Sequence, residues 1–458
     1  MSILAITGAN LNKTKTMKTK SKNQITKIAL LGLGLDNLAL LELLDANNAP
    51  AEVTICDFRD KDKLPKIKIK NLTINYRLGE SFNKNLGDFS LLFRSPGWPV
   101  NCPGIYEALK NKITKLSSPL NLFFNLVPTK NIIGITGTKG KGTTATLIYK
   151  ILLANKKTSG KNVFLGGNIG ITPLSFLNKI KPDDYVVLEL SSFQLEDLEY
   201  SPKISVITNL FKEHLAPADP NNPNFHSSIN KYWKAKLNIA KNQENKHLIA
   251  NESLRKILTK ENPRGKVIYF SDCSLPSKLT GNYNRQNIAA AVEVAKLLKI
   301  KPEIYKKVIA RFGNLEHRLE LVAEINKIKY FDNSFSTTPE STALDLESFN
   351  VPIVQIAGGA DKGAEFKNLA KVIKEKTSFL ILLPGHGSDR IKSELKKINF
   401  PNNKLALTSG MEEAVKISKQ KATPGNVVLL STACASFGIF KNYKERGDLF
   451  KKYVRQTK

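Results

Sequence analysis

The sequence predicts an α/β protein of three domains with largely parallel sheets, on two observations. Short β-branched or leucine-rich runs alternate with helical patterns along most of the chain, the signature of βαβ units. One such unit carries a glycine-rich turn between strand and helix, of the kind that cradles phosphate. The chain has 458 residues, enough for roughly two to four domains. No repeat of solenoid period interrupts the alternation.

Residues 1–24 come first and are polar and basic, as in Lys13-Thr-Lys-Thr-Met-Lys-Thr-Lys-Ser-Lys22. They lack the apolar core of a secretory signal and read as a disordered basic arm, with Met17 an alternative start. The regular pattern begins at Lys27. Ile28–Leu31 is an apolar strand, Gly32-Leu-Gly34 a turn, and Asn37–Leu44 a helix. A second strand, Val53–Cys56, ends at Asp57, where a carboxylate suits a ribose in a Rossmann-like nucleotide site. The third glycine of the dinucleotide fingerprint is missing, so a plain βαβ turn explains this stretch equally well. Leu91–Arg94 then runs into Ser95-Pro-Gly97, a turn at a strand end. Such turns form ligand crevices in α/β sheets. Residues 112–128 read as a linker.

The central unit opens with Asn131-Ile-Ile-Gly-Ile-Thr-Gly-Thr-Lys-Gly-Lys-Gly-Thr-Thr-Ala145. Ile132, Ile133 and Ile135 predict a buried strand. Gly137, Thr138, Lys139, Gly140, Lys141 and Gly142 form the turn. Thr143 and Thr144 open a helix through Leu147, Ile148, Ile151 and Leu152. Glycines let backbone N–H groups approach phosphate oxygens, and the helix N-terminus adds partial positive charge. Lys141 reaches the β/γ-phosphates and a threonine hydroxyl meets Mg²⁺. The spacing departs from the standard Walker pattern, since Gly134 lies one residue early and Gly142 follows the lysine. Further strands are expected at Tyr185–Leu190, Ile204–Thr208 and Val267–Phe270, with helices at Lys231–Lys241 and Asn284–Leu298. The third unit has strands at Tyr330-Phe331, Ile353–Ile356, Phe379–Leu383 and Val427–Leu430, and helices at Phe366–Lys374 and Met411–Lys419. The expected domains are 25–118, 119–314 and 315–458.

Composition bounds the partners. Hydrophobic residues make up 41% and charged residues 24%, ordinary for a globular protein. No apolar run is long enough to span a bilayer. The formal net charge is +30. Lysine is spread through the chain without a dense block or a basic-aromatic strip, so the charge reads as a solvated surface that steers anionic small molecules. Neither a specific nucleic acid nor a membrane is expected as partner. Four distant cysteines, Cys56, Cys102, Cys273 and Cys434, show no metal spacing and fit a reducing cytoplasm.

Several other stretches carry chemistry. Gly166-Gly-Asn-Ile-Gly170 is a tight glycine turn bearing an amide. Glu189-Leu-Ser-Ser-Phe-Gln194 follows an apolar strand, so Glu189 sits at a strand end near the phosphate loop, a natural Mg²⁺ ligand. Asn209-Leu-Phe-Lys-Glu-His214 follows the next strand, and Tyr232-Trp-Lys-Ala-Lys236 lies on a helix. Gly358-Gly-Ala-Asp-Lys-Gly363, Leu430-Ser-Thr-Ala-Cys-Ala-Ser436, Phe440-Lys-Asn-Tyr443 and Arg446-Gly447 follow. In this order, from about Lys27 to the end, the chain resembles the Mur ligases of peptidoglycan synthesis, and within them the branch that adds glutamate.

The resemblance implies a three-domain ligase whose substrates bind between domains, the third closing over ATP. It implies that the carboxylate of UDP-N-acetylmuramoyl-L-alanine attacks the ATP γ-phosphate. The acyl phosphate then yields to the amine of glutamate through a tetrahedral intermediate. Phosphorylation gives a poor acyl donor a leaving group, and the site must position two anions and neutralise charge. By resemblance, Lys141 and the loop amides hold the phosphates. Thr143 or Thr144, Glu189, His214 and a carbamylated Lys236 hold Mg²⁺ at two sites. Asn284 and Asn287 match the adenine side. His317 and Arg318 match the hinge, where Arg318 can reach ATP phosphate, and Asp332 also belongs with the nucleotide. Asp57 and Arg59 match the uridine region. Asn168, Ser192 and Ser95-Pro96-Gly97 match substrate contacts, while Ser436 and Tyr443 match residues that hold glutamate. A monomer is expected.

Some positions depart from the family pattern. Asp332-Asn-Ser-Phe-Ser-Thr-Thr-Pro339 has Phe335 where a lysine usually binds the glutamate side chain, which leaves L-glutamate or another amino acid open. Asp332 is beside Asn333, a shifted acidic position. Lys139 replaces an asparagine, Ala216-Pro217 stand where an aspartate follows His214-Leu215, and the first turn reads Gly32-Leu-Gly-Leu-Asp. Two rivals remain. Folylpolyglutamate synthetase shares a glycine after the loop lysine but lacks the unit before the loop. A basic nucleotide-dependent nucleic-acid binder would show steep salt dependence.

Overall fold

Three sheets succeed one another along the chain in a computed structural model, which describes residues 26–215, 224–243, 246–281, 283–361 and 363–456. The basic arm at 1–24, Ala216-Pro217 and Lys362 lie outside the described residues.

The first sheet has the order β3-β2-β1-β4-β5, from β1 (Thr26–Leu31), β2 (Ala51–Asp57), β3 (Ile74–Leu78), β4 (Leu91–Arg94) and β5 (Lys115–Ser117). Every pairing is parallel. Ile28, Leu30, Val53, Ile55, Leu91 and Phe93 are buried on one face, against the helix Leu35–Ala46. The stretch at 112–128 is not a linker. Lys115–Ser117 adds an edge strand, and Pro119–Leu126 is a helix capped by Ser118, whose Oγ accepts from Asn121 N at 3.2 Å. Three polar or half-buried residues carry no strand periodicity, so only pairing with β4 makes them a strand.

The second sheet is also wholly parallel, in the order β11-β10-β9-β6-β8-β7. It comprises β6 (Ile132–Thr136), β7 (Val163–Gly167), β8 (Tyr185–Glu189), β9 (Ile204–Ile207), β10 (His247–Asn251) and β11 (Lys266–Phe270). Gly166 and Gly167 end β7, so the turn begins only at Asn168. One apolar cluster runs through the first two sheets, from Ile28 and Phe93 to Phe123, Leu188 and Leu248.

The third sheet is mixed, in the order β12-β13-β17-β14-β15-β16. Its strands are β12 (Glu320–Ile325), β13 (Ile328–Asp332), β14 (Ile353–Ala357), β15 (Thr377–Leu382), β16 (Leu405–Leu407) and β17 (Val427–Leu430). Only β12 and β13 pair antiparallel. Separate clusters cover its two faces, one around Leu369 and Leu380, the other around Ile356, Val428 and Phe450.

The chain divides into two compact units. The first runs to Cys273 and takes in Gln286–Val308; the second comprises Ser274–Arg285 and Ile309–Lys458. Among the described residues no helix is long and apolar enough to cross a membrane.

Candidate functional site

In the first unit, strand β6 lies between β9 and β8. Three connections therefore leave side by side at the carboxyl ends of these strands, where open α/β sheets bind ligands. Thr136 leads into the glycine turn, Glu189 ends β8, and Thr208-Asn209 follow β9. The turn is clasped from β9. Asn209 Oδ1 accepts from Lys139 N at 2.8 Å, Thr208 Oγ1 donates to Lys139 O at 2.6 Å, and Thr138 N donates to Asn209 O at 2.9 Å.

Glycine is required at two positions of this turn. Gly140 has φ +81°, and a Cβ there would sit 2.1 Å from Asn287 Oδ1. Gly137 has φ +141°, and its Cβ would meet Thr208 Oγ1. The helix Lys141–Ala154 starts immediately afterwards. Lys141 Nζ folds back to donate to Gly137 O and Thr138 O, both at 2.9 Å. Of the two threonines, Thr144 Oγ1 donates to Asn287 Oδ1 at 3.3 Å. Thr143 Oγ1 has no hydrogen bond to a described residue, which favours it as a metal-facing hydroxyl.

Around the turn, charges of both signs lie within electrostatic reach of one another. Glu189 is buried; its Oε1 accepts from Asn168 Nδ2 at 2.8 Å, while Oε2 is buried with no partner among the described residues. Glu213 Oε1 takes the Lys139 ammonium at 2.7 Å. Burial pushes Glu213 up, but Lys139, His214 and Lys141 outweigh it and hold the carboxyl at about 2. His214 packs edge-on against Phe193, with ring centroids 5.2 Å apart. Burial lowers it to about 4, with Lys236, Lys141 and Lys139 pushing the same way against Glu213.

Lys236 is 1% exposed, with its ammonium 4.8 Å above the Tyr232 ring and no hydrogen bond to a described residue. Burial, then Lys141, lowers it well below the usual lysine value, against the pull of Glu213 and Glu189. Tyr232 OH in turn donates to Thr138 Oγ1 at 3.1 Å, tying the Lys236 helix to the glycine turn. An orphaned carboxylate oxygen, a free-facing hydroxyl, a neutral imidazole and a buried amine form a donor set that fits a divalent cation once the amine has become an oxygen ligand.

The first sheet reverses order at β1, so the Gly32 turn and the Ser95-Pro96-Gly97 turn emerge together. Gly32, at φ +80°, packs so closely that a Cβ would lie 2.5 Å from Ser95 Oγ. Asn37 Nδ2 donates to Gly32 O and Phe93 O, pinning both turns. Asp57 is buried, and its oxygens accept from Leu33 N, Arg59 N, Arg59 Nε and Arg59 Nη2. Its carboxylate is thus occupied in holding Arg59, the half-buried member of the pair.

Two groups in this unit escaped the sequence reading. Glu213 adjoins His214 but carries no periodic signal of its own in the sequence. His226 stacks on Phe193 (centroids 4.9 Å apart, planes 7° apart) and sits 5.3 Å from Tyr232, closing a box with His214. Burial, then His214 and Lys236, lowers it to about 4. A lone histidine between loop residues carries no periodic signal. Its place just ahead of the helix capped by Ser228 is the only hint.

In the second unit, β17 separates β13 from β14, and the loops after Asp332, Ala357 and Leu430 leave together. Asp332 is fully buried, accepting from Ser334 N at 2.8 Å and pairing with His317 Nδ1 at 2.7 Å. The pair needs Gly447, whose Cβ would sit 2.2 Å from His317 Nδ1. Arg318 stacks on Phe335, its Cζ 3.6 Å from the ring centroid, and Tyr443 meets the same ring edge-on at 5.1 Å. Asn284 Nδ2 donates to Thr280 O at 2.6 Å, and Ser436 is buried. Arg446, also missed as a site residue, is fully buried and donates to Ser334 Oγ, Ser334 O and Cys434 O, binding the Phe335 loop to the loop after β17. Glu316, Glu320 and Asp448 cluster beside His317, but the Lys451 ammonium occupies them at 2.7, 3.4 and 3.4 Å.

These features define an ATP-dependent ligase that makes an amide bond. Residues 135–275 match the Mur ligase middle domain, and residues 317–434 the Mur ligase glutamate ligase domain. The chain is 35% identical to the UDP-N-acetylmuramoylalanine–D-glutamate ligase of Acetivibrio thermocellus, covering 96% of this chain and 98% of that protein. A ligase of the same name from Clostridium tetani is also 35% identical, covering 94% and 96%. The MurF ligase from Thermotoga maritima in complex with ADP shares the fold at TM-score 0.56 and 17% identity, covering 95% of this chain and 96% of that one. The chain belongs to the Mur ligase family.

Proposed function

We propose that this chain adds D-glutamate to UDP-N-acetylmuramoyl-L-alanine, with ATP as the energy source, in the supply of peptidoglycan precursors. Full-length likeness to relatives of that name supports the substrates. The observation that carries the chemistry is the gathering of Lys141, Glu189, His214 and Lys236 around one phosphate turn. Lys141 leaves its resting contacts with Gly137 O and Thr138 O for the β/γ-phosphates, joined by the amides at the helix start.

Mg²⁺, when bound, supplies the charge neutralisation that lets a carboxylate approach the γ-phosphate. Thr143, Glu189, His214 and carbamylated Lys236 are the residues that would hold it. Lys236 suits carbamylation because a neutral amine is the form that adds to CO₂, forming an N–C bond and releasing a proton. The resulting negative charge lies among Lys139, Lys141 and His214. Asn168 fixes one oxygen of Glu189 and so aims the other. Arg59, Ser192 and the Ser95-Pro96-Gly97 turn are assigned to the UDP-sugar, with Asp57 orienting Arg59. In the second unit, Arg318, Asn284 and Asp332 are assigned to the nucleotide, as is Asn287 beside Gly140. His317, Ser436 and Tyr443 are assigned to the incoming amino acid. The whole is a soluble enzyme of small molecules, its basic surface drawing in anions.

Phe335 in place of a lysine keeps a second reading open, in which L-glutamate or another amino acid is added. Phosphate release with ATP, Mg²⁺ and UDP-N-acetylmuramoyl-L-alanine, across a panel of D- and L-amino acids, tests both. D-glutamate should give the highest rate. A preference for L-glutamate establishes the second reading, and no phosphate release with any amino acid overturns the function.

A further inference from the structure

One buried polar chain in the first unit ends at Ser192, and its other members have no part in the reaction as proposed. It starts at Arg94, whose Nη1 is 3.7 Å from Glu196 Oε2. Glu196 Oε1 lies 3.3 Å from His226 Nδ1, and His226 Nε2 lies 3.0 Å from Ser192 Oγ. Arg94, His226 and Ser192 are 1%, 3% and 2% exposed. The order of serine, imidazole and carboxylate is that of a hydroxyl oriented by a histidine whose tautomer an acid fixes. In the tautomer that carries its proton on Nδ1, the side of Glu196, Nε2 is left as an acceptor. The Ser192 hydroxyl then donates to it, and the oxygen lone pairs of Ser192 face the other way.

Two further contacts say what this chain joins. Ser192 begins the helix Ser192–Leu195, three residues beyond Glu189. Asn224, two residues before His226, donates from Nδ2 to Pro96 O at 2.8 Å. Residues 224–226 therefore touch the Ser95-Pro96-Gly97 turn with one side chain and Ser192 with another. Arg94 closes the circuit, donating from Nη1 to Trp98 O and from Nη2 to Phe193 O at 2.8 and 2.7 Å.

We propose that His226 is a positioning residue for the acid substrate. It holds Ser192 as a hydrogen-bond acceptor and locks the 224–226 segment against the Pro96 turn. An acceptor at Ser192 matches an amide N–H next to the carboxyl group to be activated, and repels a carboxylate. The proposal rests on the reading of Ser192 and the Ser95-Pro96-Gly97 turn as substrate contacts.

The test measures KM for UDP-N-acetylmuramoyl-L-alanine and for ATP, kcat and thermal midpoint in S192A, H226F, H226Q and the S192A/H226F double variant. H226F should raise the KM for the UDP-sugar about tenfold and leave that for ATP within about twofold. S192A should do the same, and the double variant should be no worse than S192A, because the two residues act as one unit. H226Q, which places an acceptor near Nε2, should recover most of the loss. Unchanged kinetics in H226F, equal rises in both KM values, or losses that multiply in the double variant overturn the proposal. A wild-type S192A also overturns it, and in addition removes Ser192 from the substrate site. An impaired S192A beside an intact H226F leaves that assignment standing. If H226F does not fold, H226Q is compared with H226N, which keeps only a group near Nδ1: Gln closer to wild type supports the proposal, Asn closer overturns it.

Discussion

Replacing Lys236 by methionine separates what this residue does for activity from what it costs the fold. Its amine is 1% exposed, lacks a hydrogen bond among the described residues, and faces Lys141 as well as Glu213 and Glu189. Methionine fills nearly the same volume and removes the desolvated amine. Lys236 makes no ion pair or hydrogen bond among the described residues, so the exchange strands no partner and relieves the cost of a buried polar group, and K236M should melt at or above the wild-type temperature. Activity should fall at least about 100-fold, since the ligand proposed above is lost and even groups behind metal ligands matter about 10–100-fold. The pH dependence should change too. In the folded state Lys236 titrates below its ordinary value of 10.5, so the unfolded chain binds the extra proton between the folded value and 10.5. Wild-type stability therefore gains about 1.4 kcal/mol per pH unit from this group as pH rises through that window. K236M lacks that gain. Urea unfolding of both proteins in CO₂-free buffer at about pH 8.5 and 9.5, beside phosphate-release assays, reads all three effects. A variant that is markedly less stable, fully active, or parallel to wild type in its pH slope refutes the reasoning.

Three other substitutions test the scaffold and the turn. Lys141→Ala should abolish ATP turnover while calorimetric binding of the UDP-sugar stays near wild type; unchanged turnover would remove Lys141 from the phosphates. Gly140→Ala forces a Cβ to within 2.1 Å of Asn287 Oδ1 at φ +81°. It should cost about 1–3 kcal/mol by urea unfolding and raise the KM for ATP more than about tenfold. Arg94→Met leaves Asp197 and Glu196 without the guanidinium that lies 2.8 and 3.7 Å away. It should lose about 3–5 kcal/mol of stability, and a loss under about 1 kcal/mol would show that those carboxylates are solvated.

The sequence made the phosphate turn legible because its signal is local. Ile132–Ile135, the glycines and the helix that follows are contiguous, and each residue type answers to one backbone requirement. Glu189 was legible for the same reason, since an apolar strand ending in a carboxylate is visible without knowing its neighbours. Other features depend on contacts distant in sequence. β3 has exposed residues at Asn75 and Tyr76 and no clean alternation, and β5 is too short to announce itself. Glu213 looked like one more charged loop residue until the fold set it on Lys139, 74 positions earlier. His226 and Arg446 take their meaning from partners 34 and 112 residues away. Asp57 shows the converse: its position at the end of β2 was readable, but its engagement with Arg59 and Leu33 N was not.

The three sheets place their candidate residues by one rule. In each, a crossover connection passes beyond a strand to reach its far side: β3 to β4 passes β1, β8 to β9 passes β6, and β13 to β14 passes β17. A gap opens beyond the carboxyl ends at that strand, and polar residues there need not be covered by a crossing helix. Gly32 and Ser95 lie at the first, the phosphate turn with Glu189 at the second, and Asp332 with the Cys434–Ser436 loop at the third. At the second gap, the amines of Lys139, Lys141 and Lys236 face the carboxylates of Glu189 and Glu213. Lys139 is neutralised directly by Glu213 at 2.7 Å. Lys141 Nζ donates to two backbone carbonyls, and Glu189 Oε2 is buried with no hydrogen-bond partner among the described residues. An orphaned carboxylate oxygen beside a cluster of amines suits the roles proposed above, the amines for phosphate and Glu189 for a metal ion, the division of charge that phosphoryl transfer to a carboxylate requires.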